Sequence, residues 1–409
     1  MGEKLVESMM NATICGWIVH IELIISLEYI MNSRERLQKV LNRQIPDCVP
    51  VSPDFSNMIP AKLTGKPFWE LYLYKDPPIY MAYIDAAKKF NIDSLMDGYV
   101  PIKFEDEIAE DAAEEVIIYQ TDDRIITQKY DLNKSTIHKK TWEKTVNVYY
   151  RDNPPTHNLK PGLIGLDSTP KAYKRIEGIK PELTGQELLT HVKETMGNQG
   201  MVGVFCGTSG VIHSEEEIYE YYDNPSKFYK RRDRMLEKFT DKFYKLMALD
   251  DRPDFICTGA SGTLIFQTPD IFRELALPIV KKITRLCKEY GIPSHIHSCG
   301  PEKELIKICA NETDLTIIDP LEILPMGDCN LAEIKKLYGD RLILKGNLHT
   351  TDVMIDGSPD DVIEACKRAI DDAAEGGGFI LSTGDQCGRD TPFENLHAMV
   401  ETARTYGKY

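Results

Sequence analysis

The sequence predicts an α/β fold, a (β/α)8 barrel (TIM barrel) with an inserted antiparallel β-meander between strands 2 and 3. Eight apolar runs of strand length recur along the 409 residues, and most are followed by a helical stretch. Strands that alternate with helices in this way indicate parallel βα units, and eight such units indicate a barrel. Between the second and third runs, short segments of alternating polarity indicate exposed antiparallel strands instead.

The predicted barrel strands follow one another as short apolar segments. In chain order they are 49–52, 94–96, 201–205, 255–257, 295–297, 315–318, 342–344 and 379–381. Good helices are predicted between them, for example at 226–249, 269–290 and 359–374. The last of these helices ends at three consecutive glycines, which is a common way for a helix to stop.

The insertion is predicted at residues 113–150. Its strands are expected at 116–120, 124–128 and 136–140, with turns at 121–123 and 132–135. A proline-rich crossing at Pro154, Pro155 and Pro161 would then lead back to the barrel.

Residues 33–409 are predicted to form the barrel domain, and residues 1–32 an N-terminal extension outside its core. Residues 14–30 are apolar in patches, but His20, Glu22 and Glu28 interrupt them. The segment is too short and too polar for a membrane span, so we expect an amphipathic helix there.

Composition and charge limit the class of protein. Hydrophobic residues make up 42% and charged residues 28%, as in an ordinary globular protein. The net charge of −15 argues against a general nucleic-acid binder, which needs a basic surface. The ten cysteines lack the short, regular spacings of a disulfide framework, so we expect reduced thiols and a cytoplasmic location.

Two short stretches in the C-terminal third of the chain supply soft metal ligands after predicted strands. Residues two apart on a strand point the same way, so His297 and Cys299 would present an imidazole and a thiolate on one face. Cys387, after the eighth run, completes a set of one histidine and two cysteines. Three protein ligands with an open fourth position are typical of a catalytic zinc, whereas structural zinc takes four. Buried structural cysteines in a reducing compartment are the alternative.

The residues around these ligands resemble the uroporphyrinogen decarboxylase superfamily, and within it the zinc-dependent, corrinoid-linked methyltransferases. Residues 34–51 are similar to the opening helix and first strand of that family. Residues 297–300 are similar to its His-x-Cys-Gly zinc pair, and residues 387–396 to its third ligand and closing helix. Residues 345–348 resemble its Gly-Asn turn after the seventh strand. The resemblance spans about residues 33 to 407.

The resemblance implies a zinc ion on His297, Cys299 and Cys387, all at the C-terminal ends of strands, where barrels of this type carry their working residues. His295 shares the face of His297 and could compete as a ligand. Because the resemblance favours His297, we expect His295 to be a pocket residue or one that fixes the ligand's tautomer.

Polar residues at other predicted strand ends are further candidates. Glu322 could be a fourth, displaceable zinc ligand or a substrate contact, and Asp97 could donate or accept a proton. Asn347 resembles the asparagine of the family's turn, and Asp54 ends the first run. A plain loop-capping role is the alternative for each of them.

The resemblance implies methyl transfer in one of two directions. Because the insertion looks like that of the aromatic ether O-demethylase components, we expect a methyl group to move from a small aromatic methyl ether to a Co(I) corrinoid. Aromatic residues near strand ends could sandwich such a ring, with packing in the core as the alternative; they are Phe55, Tyr99, Phe205 and Phe266. The alternative is transfer from methylcobalamin to a thiol similar to coenzyme M.

Two further hypotheses are less favoured. The decarboxylase itself binds a polyanionic porphyrin through an arginine-rich loop, but residues 52–57 contain no arginine here. A zinc- or corrinoid-binding protein without catalysis would bind metal yet transfer no methyl group. We expect the corrinoid on a separate partner protein, because the chain has no Asp-x-His-x-x-Gly run to hold it.

Overall fold

A computed structural model of the chain describes residues 30–104, 113–136, 139–207, 210–259, 264 and 267–409, without the side chains of 131–141. The predicted N-terminal extension up to residue 29 and the predicted pocket residue Phe266 therefore lie outside the described residues. None of the helices in the described ranges has the length and apolar content needed to span a bilayer.

The elements alternate as the sequence predicts. The strands are β1 Ser94–Met96, β2 Ala113–Gln120, β3 Arg124–Thr136, β4 Lys139–Trp142, β5 Val146–Tyr150, β6 Thr156–Leu159, β7 Lys174–Arg175, β8 Gly200–Phe205, β9 Phe255–Cys257, β10 Ser294–His297, β11 Ile317–Asp319, β12 Ile343–Leu348 and β13 Phe379–Thr383. The helices are α1 Ser33–Leu41, α2 Met58–Thr64, α3 Phe68–Tyr72, α4 Ile79–Phe90, α5 Gly185–Met196, α6 Glu215–Asp223, α7 Pro225–Met247, α8 Pro269–Leu275, α9 Leu277–Glu289, α10 Lys303–Glu312, α11 Leu331–Tyr338, α12 Pro359–Ala373 and α13 Phe393–Thr405.

The barrel wall is a parallel sheet in the order β1-β8-β9-β10-β11-β12-β13. Residues 48–52 close this sheet into a barrel between β13 and β1. Val51 forms a parallel bridge with Leu381 of β13, and its carbonyl oxygen accepts a hydrogen bond at 2.8 Å from the amide of Asp93, the residue before β1. Pro50 has no N–H to donate, so this first predicted strand is a short bridging segment and not a regular strand. The predicted barrel is confirmed.

The lower half of the barrel is filled by apolar side chains from the strands. Buried residues of one cluster meet there, among them Leu95, Met201, Phe255, Ile317, Ile343 and Ile380. Leu37 and Val40 of α1 belong to the same cluster, so α1 covers this end of the barrel. The polar side chains of the strands therefore lie at the opposite end of the barrel, where the C-terminal ends of the strands are.

The inserted sheet is larger than the predicted meander. Its strands run in the order β6-β5-β3-β2-β7, with β4 paired to β3, so that it continues to Arg175. The prediction of a turn at 132–135 was wrong, because β3 continues to Thr136. The predicted proline-rich crossing also contains a strand, since residues 156–159 between the prolines retain the backbone N–H groups that pair with β5.

The inserted sheet packs beside the barrel mouth. Its buried residues Ile117, Ile125 and Tyr149 form a cluster with Leu73, which follows α3. The turn between β5 and β6 contacts the loop after β13, because Arg389 donates to the carbonyl oxygen of Asp152 at 3.1 Å. The insertion is therefore attached to the loop that carries the predicted ligand Cys387.

A buried ionic network joins α1 and α13 below the barrel. Asp93, which is fully buried, accepts hydrogen bonds from Arg36 of α1 at 2.6 Å and from Arg404 of α13 at 2.7 Å. The same carboxylate accepts from the amide of Val51 at 2.9 Å. One side chain thus holds the closing segment of the barrel between α1 and α13.

We predict that Asp93→Asn lowers the free energy of unfolding by about 3–5 kcal/mol, because it leaves two arginines near a neutral amide in a buried site. Urea denaturation followed by circular dichroism measures the loss. The matched control is Asp167→Asn, because Asp167 pairs with Lys171 on the surface with two thirds of its side chain exposed. Equal urea midpoints for Asp93→Asn and the control would contradict this account.

Candidate functional site

Two histidines and one aspartate meet at the C-terminal ends of β10 and β11. His295 and His297 lie two residues apart on β10, and the strand register places His297 opposite Asp319. The Oδ1 atom of Asp319 lies 2.9 Å from Nε2 of His295 and 3.2 Å from Nδ1 of His297. The other oxygen, Oδ2, forms a salt bridge with the ammonium group of Lys345 on β12.

Asp319 and Lys345 hold each other in their charged forms. Burial alone would raise the pKa of Asp319, but Lys345 and the two histidines outweigh it and hold the pKa well below its usual value. Burial likewise opposes the charge of Lys345, yet Asp319 and two further aspartates raise its pKa. Because an ionised carboxylate only accepts hydrogen bonds, the imidazole nitrogen that faces Asp319 carries the proton.

His297, Cys299 and Asp385 form a group of possible metal ligands. One ligand atom of each lies within 4.8 Å of the others. The Nε2 atom of His297 is buried, has no hydrogen-bond partner among the described residues and lies 3.5 Å from Oδ1 of Asp385. Ligand atoms around a tetrahedral zinc with bonds of about 2.0–2.3 Å lie roughly 3.3–3.8 Å apart. The donor types, and the 3.5 Å between His297 and Asp385, therefore suit zinc.

Cys387, the predicted third ligand, lies two residues beyond Asp385 in a buried position. Its thiol has Thr383 as a hydrogen-bond partner, and its amide donates to the carbonyl oxygen of Asp54 at 2.8 Å. Burial raises the pKa of this thiol, and the nearby charges of Asp54 and Asp385 raise it further. Cys387 is thus close to the group, but the structure brings Asp385 together with His297 and Cys299. The complete ligand set stays a prediction.

Glu322 and Asn347 contact the backbone of the loops around the group. The carboxylate of Glu322 accepts a hydrogen bond from the amide of Gly300 and so holds the turn after Cys299. Burial raises the pKa of Glu322, and Asp385 adds to the effect. Asn347 donates from Nδ2 to the carbonyl oxygen of Leu321 at 3.0 Å. These contacts position loops, and the roles predicted for both residues stay predictions.

A cavity of about 270 Å³ opens beside the two histidines. Its lining includes Asp54, Asp97, Tyr99, Phe205, His295 and His297. The ring of Tyr99 packs against that of Tyr83 with centroids 4.4 Å apart and an interplanar angle of 31°, so this wall is aromatic. Tyr99 and Phe205 thus lie where an aromatic pocket was predicted. The prediction for Phe55 was wrong, because its ring is fully buried in the core against Phe90.

Asp54 and Asp97 supply carboxyl groups to the cavity. Burial and the charge of Asp97 raise the pKa of Asp54 to about 6, although His297 and Lys345 oppose the rise. A fraction of Asp54 is therefore protonated near neutral pH and could donate a proton. Asp97 is 24% exposed, and its Oδ2 atom lies 3.3 Å from Nδ1 of His295.

Sequence reasoning missed Asp319, Lys345 and Asp385 as site residues. Lys345 had a usable signal, because a lysine that continues the apolar run 342–344 is expected to be buried and buried lysines are nearly always paired. Asp385 follows Gly384, and a Gly-Asp pair indicates no more than a turn.

A match to a known protein family covers the part of the chain that holds this group. Residues 247–406 match the family model described as uroporphyrinogen decarboxylase (URO-D). Proteins named methylcobamide:CoM methyltransferase MtbA, from Methanosarcina mazei and Methanosarcina acetivorans, are each 31% identical over 140 residues. That match covers 34% of this chain and 37% of each relative, so it spans well under half of their length.

The fold comparison extends over nearly the whole chain. A solved structure titled methyltransferase from Methanosarcina mazei superposes with a TM-score of 0.56 and 15% identity. The superposition covers 92% of this chain and 99% of that one. At this identity the likeness shows the fold alone. The recognition made from the motifs is confirmed: residues 247–406 match the family model of uroporphyrinogen decarboxylase, and part of the chain is similar to two methylcobamide:CoM methyltransferases.

Proposed function

We propose that the protein is a zinc-dependent methyltransferase that moves a methyl group between a corrinoid and a small molecule in the cavity. The observation that carries this proposal is the environment of His297. Asp319 fixes its Nδ1 atom, and its buried Nε2 atom lies without a hydrogen-bond partner in the described structure, beside Cys299 and Asp385. An imidazole held by a carboxylate on one side and free on the other is the usual arrangement of a metal ligand.

The residues that would hold zinc are His297 and Cys299, with Cys387 or Asp385 as the third ligand. A bound zinc would supply Lewis acidity, which lowers the pKa of a thiol or draws charge from an ether oxygen. Asp319 and Lys345 keep the ring of His297 in one orientation, and Glu322 holds the turn after Cys299. We expect the corrinoid to be bound by a partner protein that docks at the barrel mouth.

A thiol is the substrate class that we propose first. The names of the two curated relatives support it, since both are methylcobamide:CoM methyltransferases. In this direction the cobalt–carbon bond breaks with its electron pair staying on cobalt, and a sulfur–carbon bond forms. The thiol proton leaves to a base in the cavity, and we propose the partly exposed Asp97, which lines the cavity, as that base.

An aromatic methyl ether is the second candidate, in the reverse direction. The oxygen–methyl bond breaks, Co(I) supplies the electron pair for the new cobalt–carbon bond, and a phenolate leaves. Two features of the cavity support it. Tyr99 and Phe205 could stack on a ring, and Asp54, with a pKa raised to about 6, could protonate the phenolate.

We predict that Cys299→Ala removes one equivalent of zinc from the purified protein and leaves the fold intact, because an open catalytic zinc is not what holds a large barrel together. Elemental analysis of Cys387→Ala and Asp385→Ala then identifies the third ligand as the residue whose loss also removes metal. Cys309→Ala is the matched control, since this buried thiol lies on α10 outside the group. Unchanged zinc in Cys299→Ala would remove the site from consideration.

We predict that the wild-type enzyme converts methylcobalamin to Co(I) in the presence of small thiols, and that Cys299→Ala slows this at least about 100-fold. The absorption spectrum of the corrinoid records the conversion. A parallel experiment supplies Co(I) and methoxylated aromatics such as guaiacol. Reaction with ethers alone would select the second candidate, and silence toward both thiols and ethers, with zinc bound, would refute the proposed function.

A further inference from the structure

A second group of ligand side chains lies in the same cavity. Asp97, Cys257 and His295 each offer one ligand atom, and these atoms lie within 4.8 Å of one another. Asp97 is the residue after β1, Cys257 ends β9, and His295 lies within β10. All three line the cavity, and the zinc set proposed above uses none of them.

The hydrogen bond between His295 and Asp319 leaves the second ring nitrogen of His295 as a possible ligand atom. Its Nε2 atom lies 2.9 Å from the ionised carboxylate of Asp319, so Nε2 carries a proton and donates it. Its Nδ1 atom has no hydrogen-bond partner within the described ranges, although the side chain is fully buried. Nδ1 lies 3.3 Å from Oδ2 of Asp97. That separation is close to the ligand–ligand spacing of roughly 3.3–3.8 Å around tetrahedral zinc.

The charges around the cavity leave room for a cation. Three carboxyl groups, those of Asp54, Asp97 and Asp319, act on a single ammonium group, that of Lys345. The carboxyl groups of this set thus outnumber its one ammonium group. A divalent cation would balance the charge.

We propose that Asp97, Cys257 and His295 bind a second divalent metal ion, distinct from the zinc on His297 and Cys299. One nitrogen, one sulfur and one oxygen donor favour zinc or cobalt(II) over magnesium or calcium, which prefer oxygen ligands alone. Three protein ligands leave a coordination position for a substrate atom. Metal binding would displace the proton of the Cys257 thiol, whose pKa is raised by burial and by Asp97.

The test is a titration of metal-free protein with cobalt(II), followed by absorption spectroscopy, because thiolate-to-cobalt charge transfer reports each cysteine-bound ion. We expect two equivalents in the wild-type protein, and one each in Cys257→Ala and Cys299→Ala. The double variant should bind none and lose the charge-transfer band. Cys309→Ala, which removes a buried thiol elsewhere, should keep both equivalents. Circular dichroism checks that each variant is folded.

Asp97→Asn provides a variant that does not disturb the core, since this residue is partly exposed. We expect it to weaken binding of the second equivalent at least tenfold and to leave the first unchanged. A single equivalent that is lost in Cys299→Ala but retained in Cys257→Ala and Asp97→Asn would overturn the second site and leave the proposed function intact. A single equivalent that is retained in Cys299→Ala, lost in Cys257→Ala and weakened in Asp97→Asn would support this site and refute the proposed zinc set.

Discussion

The buried ion pair of Asp319 and Lys345 is the interaction on which the site depends. A charge removed from water is costly unless a partner satisfies it, and here Asp319 and Lys345 pair with each other while Asp319 also contacts His295 through a hydrogen bond. The same carboxylate contacts the rings of His295 and His297, so it sets which nitrogen of each ring carries the proton. Both proposed metal positions therefore share one fixed anion behind their imidazole ligands.

The barrel separates this polar centre from the part that maintains the fold. Below, α1 covers an apolar interior, and Asp93 joins Arg36, Arg404 and the closing segment of the wall. At the C-terminal ends of the strands, polar side chains of neighbouring strands form hydrogen bonds and a salt bridge with one another. This division is general in barrels of this kind, where the C-terminal face carries function and the opposite face carries stability. Substitutions at the two ends should consequently affect different measurements.

The inserted sheet modifies the mouth of the barrel and not its wall. It packs on the segment around α3 and contacts Arg389, which lies two residues after Cys387. The sheet and the loop that contributes Asp385 and Cys387 therefore meet on one side of the opening. Any corrinoid or substrate that approaches from this side would contact residues that a barrel without the insertion lacks. The selection between the two proposed substrate classes would then involve the insertion as well as the cavity.

The sequence by itself determined the local features of this protein. Periodicity and length identified the strand positions of the wall, and the spacing of His297 and Cys299 follows from two residues on one face of an extended segment. Tertiary structure decided what depends on contacts between distant segments. It brought Asp385 to His297, turned the thiol of Cys387 toward Thr383, and paired β6 with β5 beyond the predicted insertion. Such contacts arise from the closure of the barrel and the path of its loops, which no local pattern encodes.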